Sequence, residues 1–167
     1  GTSSIEMVFP YVKSLEGMQL AFSPATPSKG LTADVVMLPT FTGKEDFTKW
    51  LSSVKGKLVM VSQYQPSGRP EYNWKEFATP ESFEKMQNES KAASEAWQNS
   101  IKATGETSRT LNAKLEAAGA AGIISSNWSR GFGVNKIFSA GTKKIPVMDV
   151  SLEDYGQLYR MLKNGTT

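Results

Sequence analysis

Helical and strand periodicities alternate along this chain, and they turn over most sharply at AAGAAGIISSN, residues 117–127. Upstream, Leu111, Leu115 and Ala118 recur at three- and four-residue spacing, which places them on one face of a helix. Gly119 and Gly122 are expected to end that helix, because glycine takes a left-handed cap conformation without a Cβ clash. Ile123 and Ile124 follow as an apolar run long enough for a buried strand and too short for another helix. A helix that turns tightly into a buried strand is half of a parallel crossover unit.

The other segments arrange themselves around that junction. Residues 1–17 read as a polar lead or linker in which MVFPYV, interrupted by Pro10, is either an edge strand or a connection. Residues 18–24 alternate Leu20 and Phe22 against polar or small neighbours, the pattern of a strand. Residues 33–39 are a continuous apolar run, which predicts a strand covered on both faces. Thr42 and Glu45 have capping-box spacing, and Phe47, Trp50, Leu51 and Val54 supply the apolar stripe of the helix they open. Gly56 stops it, and residues 56–61 form the next strand, completing a βαβ unit. Residues 63–79, with Pro66, Gly68 and Pro70, read as a loop carrying Tyr64, Tyr72, Trp74 and Phe77.

Pro80 suits a first helical position behind a Thr79 cap. Helical spacing then runs from Phe83 through Met86, Ala93, Trp97 and Ile101 to Leu115, with a break at 104–107 around Gly105. Residues 127–142 are a glycine-rich loop bearing Trp128, Arg130 and Phe132. Residues 145–150 are a last strand, and Ser151 with Asp154 starts a final helix whose inward face is Leu152, Tyr155, Leu158, Tyr159 and Leu162, ended by Asn164 and Gly165. The prediction is an α/β fold with a partly parallel sheet, flanking helices and a second, smaller set of strands. One domain spans 18–167, with a helical insert at about 76–113.

Composition narrows the chemistry. A chain of 167 residues with 39% hydrophobic and 21% charged residues builds one core without staples. Net charge is +3, from 19 basic and 16 acidic residues, with no basic block to track a phosphate backbone, so nucleic acid is not expected as a partner. No apolar run reaches the length of a membrane span. Beginning at Gly1, the chain reads as a piece trimmed from a longer precursor. There is no cysteine and no histidine. That excludes Ser-His and Cys-His catalysis and would leave any zinc to carboxylates alone.

Phosphate loops fail as well. Gly131 and Gly133 lack the third glycine of a dinucleotide fingerprint, since Lys136 stands in its place. Glu45–Asp46 and Glu153–Asp154 fall in first helical turns, where carboxylates meet the helix dipole favourably. Ser52 with Lys55, and Ser82 with Lys85, have the spacing of a serine-lysine dyad but also that of any solvated helix face. Asn88, Asn127 and Asn164 open Asn-x-Ser/Thr triplets, which take glycans only in a eukaryotic secretory setting. What remains for binding is loop surface: Tyr72 and Trp74 in one loop, Trp128, Arg130 and Phe132 in the other, and Trp, Tyr and Arg are the types that most often anchor interfaces. The competing reading is that they cover the ends of the sheet.

GKLVMV, LEAAGAAGIISSN and IPVMDVSLEDYGQLYRMLKNG, in that order, resemble the protease-associated domain: a Gly-Lys strand, an Ala-Gly-rich helix-to-strand junction, and an Ile-Pro-Val strand leading into a helix. MQLAFSPATPSKGLTADVVMLP and the long insert before Leu111 resemble the form inserted in zinc-dependent exopeptidases (aminopeptidases and carboxypeptidases) with a co-catalytic metal pair. The resemblance covers about residues 18–165. It implies a non-catalytic domain with no cofactor of its own, zinc being held in the parent peptidase domain. It further implies contact with that domain and with a peptide or protein substrate, in a secreted or periplasmic protein. A free-standing interaction or sorting module is the alternative, and a carboxylate-based enzyme the third reading.

Overall fold

The computed structural model describes residues 3–131, 135, 136 and 139–166. The chain opens with a hairpin, β1 (Ile5–Met7) and β2 (Lys13–Leu15), paired antiparallel with Ile5 opposite Leu15. MVFPYV is thus the end of β1 and the connection, and Val8, Phe9, Tyr11 and Val12 lie exposed on it. Next come β3 (Gly17–Gln19), β4 (Val35–Met37), α1 (Lys44–Leu51), β5 (Leu58–Met60), α2 (Glu71–Phe77), α3 (Pro80–Thr104), α4 (Ser108–Ala117), β6 (Gly122–Ser125), β7 (Val147–Val150) and α5 (Leu152–Lys163).

The main sheet has the order β3-β7-β6-β5-β4, separate from the hairpin. β4 to β7 run parallel and β3 pairs antiparallel with β7. The protein is therefore a mixed α/β fold with a partly parallel sheet, flanking helices and a second, smaller pair of strands. Period-two alternation sorts the side chains. Val59, Ile123 and Val147 point into one cluster with Phe47 of α1, Trp97 and Ile101 of α3, and Leu111 and Leu115 of α4. Met60, Ile124 and Val150 point into the other, with Tyr155 and Leu158 of α5 and Met7, Ile5 and Leu15 of the hairpin. Val54, Val59, Leu115 and Val147 are wholly buried, each contributing about 1.5–3 kcal/mol of apolar transfer.

Several local expectations hold. Thr79 caps α3 by accepting from Ser82 N, with Pro80 at the first helical position, and α3 ends on Gly105 in the left-handed conformation (φ 76°). The break predicted at 104–107 is the α3–α4 junction. Others are corrected. Asp46, not Glu45, closes the cap of α1: its carboxylate accepts from Thr42 N at 2.7 Å and Gly43 N at 3.0 Å. Residues 63–79 contain α2, a short helix burying none of its residues. Gly119 (φ 88°) follows α4 in the turn, but Gly122 begins β6. Phe22 does not continue a strand; it is 91% exposed. β4 does pack on both faces, yet it is an edge strand and its residues stay half-buried. Ser151 accepts from Asp154 N, while the Asp154 carboxylate turns away to Lys13 and to Glu16 N.

Candidate functional site

The polar residues that β5, β6 and β7 carry toward their C-terminal ends interlock. Ser62, just past β5, accepts at Oγ from Ser126 N at 2.9 Å. Tyr155 Oη accepts from Ser62 N at 2.8 Å and donates to Ser62 O at 2.7 Å, so one phenol satisfies both backbone groups of that residue. Burial pushes the Tyr155 hydroxyl up and keeps it protonated.

Asp149 of β7 is the deepest charge-bearing group, 2% exposed. Its Oδ1 accepts from Ser125 Oγ at 2.8 Å, Asn127 N at 3.0 Å and Asn127 Nδ2 at 2.7 Å, and its Oδ2 from Asn135 Nδ2 at 2.9 Å. Burial drives the carboxyl up and these bonds pull it down; burial prevails, and the group lies above the ordinary aspartate value. A raised carboxyl is a common general-acid signature. Here both oxygens accept from protein donors, which ties the carboxyl to Ser125, Asn127 and Asn135. It fastens Asn127, next to Trp128, and Asn135, whose backbone bridges to Trp128.

Beside this cluster a groove of about 240 Å³ opens beyond the C-terminal ends of β4 and β5, between α3 and α5. Met37, Met60, Tyr64, Trp97, Tyr155 and Tyr159 form its apolar walls, and no lining residue carries a charge. Tyr64 and Tyr159 stack with ring centroids 4.2 Å apart and planes within 6°. In parallel sheets the carboxyl ends of the strands are where ligands gather.

The binding residues expected from sequence lie elsewhere. Tyr72 and Trp74 are on α2, Tyr72 exposed and Trp74 half-buried beneath the Arg69 guanidinium, 5.2 Å from its ring. Trp128 Nε1 donates to Gly131 O at 2.6 Å, and Trp128 bridges to Asn135 through the backbone. Arg130 is exposed, in a left-handed conformation (φ 65°). Phe132 lies outside the described residues. Neither Trp74 nor Trp128 lines the groove. Sequence reasoning passed over Asp149, whose only signal was one carboxylate inside the apolar run of residues 145–150. It also assigned Trp97, Tyr155 and Tyr159 wholly to helix cores.

Among the described residues no three His, Cys, Asp or Glu side chains gather closely enough to hold a metal ion. The donor set that zinc prefers is therefore not assembled there. No described helix is long and apolar enough to cross a membrane.

Sheet order, helix placement and the side hairpin define a mixed α/β domain of one sheet between two helical layers. No protein-family model matches the chain, nor does any curated protein. Its fold is similar to that of a Peptidase M28 precursor from Shewanella amazonensis, with a TM-score of 0.55 and 19% sequence identity. The match takes in 99% of this chain and 32% of that one, so the chain spans about a third of that peptidase.

Proposed function

We propose that this chain is a protease-associated domain of a zinc-dependent exopeptidase, modulating substrate access or protein contact without cleaving peptides itself. One observation carries the reading: the motif order running from the Gly-Lys strand to the Ile-Pro-Val strand coincides with a fold likeness to about a third of a Peptidase M28 precursor. The zinc pair and its histidine and carboxylate ligands belong, on this reading, to the parent peptidase domain, and the parent is secreted or periplasmic. The missing histidine and cysteine and the inward-facing Asp149 are consistent with an accessory role.

The test is direct. Purified alone, the chain is expected to hydrolyse no peptide and to retain no stoichiometric zinc after dialysis. Robust hydrolysis by the purified chain overturns the proposal. A free-standing interaction module is the second reading, supported by the exposed Arg130 beside the fastened Trp128 turn. It predicts affinity for a protein that is not a peptidase, lost when Trp128 and Arg130 are replaced by alanine.

A further inference from the structure

We propose that the edge of β4 and the adjoining groove together receive an extended peptide, which adds along β4 and seats one neutral apolar side chain in the groove. This deepens the proposed role in substrate access and rests on that reading only for where the peptide comes from.

The argument begins with the sheet. β4 is the terminal strand, paired with β5 on one side and, among the described residues, with no strand on the other. Leu38 N and Asp34 O are used by β5, donating to Met60 O and accepting from Leu58 N. In a strand alternate residues present their amide and carbonyl to opposite sides. Val35 and Met37 therefore turn theirs toward the open side, and both residues are half-buried, not sealed. Such an edge is a template for an added strand.

Met37 is also a wall of the groove. Met37 thus belongs to both the open edge and the groove wall, and a strand laid along β4 runs toward the groove. Size then sets the occupant. Sites for drug-sized ligands run to roughly 300–1,000 Å³, so about 240 Å³ suits one or two side chains. Polarity sets its chemistry. Trp97, Tyr64, Tyr159 and the flexible thioethers of Met37 and Met60 favour an aliphatic or aromatic group. A charged side chain would lose its hydration with no counter-charge among the lining residues.

The probe is a capped pentapeptide, acetyl-Thr-Val-Phe-Val-Thr-amide, titrated at millimolar concentration into the isotope-labelled full chain and followed by NMR. Resonances of the Val35 and Met37 amides and the Trp97 indole are expected to move together and saturate. Replacing the central Phe by Asp, or methylating the peptide's alternate backbone nitrogens, is expected to weaken binding at least about tenfold. Ala96→Glu, a change at an exposed α3 position on the groove wall, should do the same while leaving the thermal midpoint unmoved. The inference fails if those resonances stay fixed at saturating peptide, or if the methylated peptide or the Ala96→Glu chain binds equally well. It fails too if the chain sediments as a dimer and the Val35 and Met37 amide resonances move with chain concentration in the absence of peptide. Each of these outcomes is separate from the hydrolysis and zinc measurements that test the accessory-domain reading.

Discussion

Lys13 Nζ lies 2.6 Å from Asp154 Oδ1, joining the hairpin to the first turn of the last helix across nearly the whole chain. Asp154 Oδ2 accepts from Glu16 N at 2.7 Å, so one carboxylate secures both the side chain of β2 and the backbone that leads into β3. Burial raises this carboxyl, but the Lys13 and Glu16 bonds together outweigh it, and the group lies below its ordinary value.

Asp154→Ala should therefore loosen the hairpin. Lys13 is 38% exposed, and solvent screening reduces what its ion pair contributes. Most of the loss comes from the orphaned Glu16 amide, and about 1–2 kcal/mol is expected from urea unfolding. The pH dependence has a definite sign. A carboxyl lowered in the folded state stabilises above its unfolded value and loses that contribution as pH falls through the folded one. The gap between the parent and Asp154→Ala proteins should thus be full at neutral pH and close in acid. A gap that widened on acidification would contradict this assignment.

Asp149 should behave in the opposite sense. Its carboxyl is raised by burial, so the folded state holds its proton more tightly than the unfolded chain does. Its contribution is complete below the unfolded value and is lost as pH rises through the folded one. Asp149→Asn keeps the shape but replaces one acceptor oxygen by an NH2 that must oppose either the Asn127 donors or the Asn135 donor, and about 1–3 kcal/mol should be lost. The difference between parent and variant should grow from neutral pH toward mildly acidic pH, read by unfolding at each pH. Trp128, which follows Asn127 and bridges to Asn135, should report the change in its fluorescence before global unfolding.

What could be read in advance follows the range of the interaction. Leu111 and Leu115, Ile123 and Ile124, and the Thr79–Pro80 start of α3 are local patterns, written into residues within a turn or two of each other. The α2 helix left no such trace, because it buries none of its residues and so needs no apolar stripe. An apolar run such as that of β4 looks the same in a central or an edge strand, since strand order is decided by pairing between distant segments. The Asp149 cluster is more remote still. Ser125, Asn127 and Asn135 reach it from another strand and its following turn, and none is special by spacing. Glu45 against Asp46 was a narrower miss. Both carboxylates suit a first turn, and only the backbone shows that Gly43, not Thr42, is the residue preceding the helix.

Tyr155 and Ser62 supply a prediction free of charge effects. Tyr155→Phe deletes one hydroxyl and strands both Ser62 N and Ser62 O, which lie between β5 and α5. A loss of about 1–3 kcal/mol is expected from chemical denaturation, toward the upper end because two partners go unsatisfied. Hydrogen exchange at the Ser62 amide should rise by more than the global loss of stability accounts for. If that amide stays as protected as before, the phenol is not its partner.

The sheet's far edge gives the last test. β3 is held to β7 with Gly17 opposite Val150, and a Cβ built on Gly17 would come within 2.5 Å of Asp149 O and 2.9 Å of Ile5 Cδ1. The first of these atoms is backbone and has nowhere to go, so Gly17→Ala must push β3 away from β7 or displace the hairpin above it. Overpacking of this kind costs about 1–3 kcal/mol, and the backbone contact places Gly17→Ala near the top of that range. Gly43→Ala is the matched control, because a Cβ there meets nothing within 4 Å and its backbone is extended (φ −171°). Thermal unfolding should show a fall of several degrees for Gly17→Ala and little for Gly43→Ala. Equal melting temperatures for the two variants would mean that β3 does not pack on β7 at this distance.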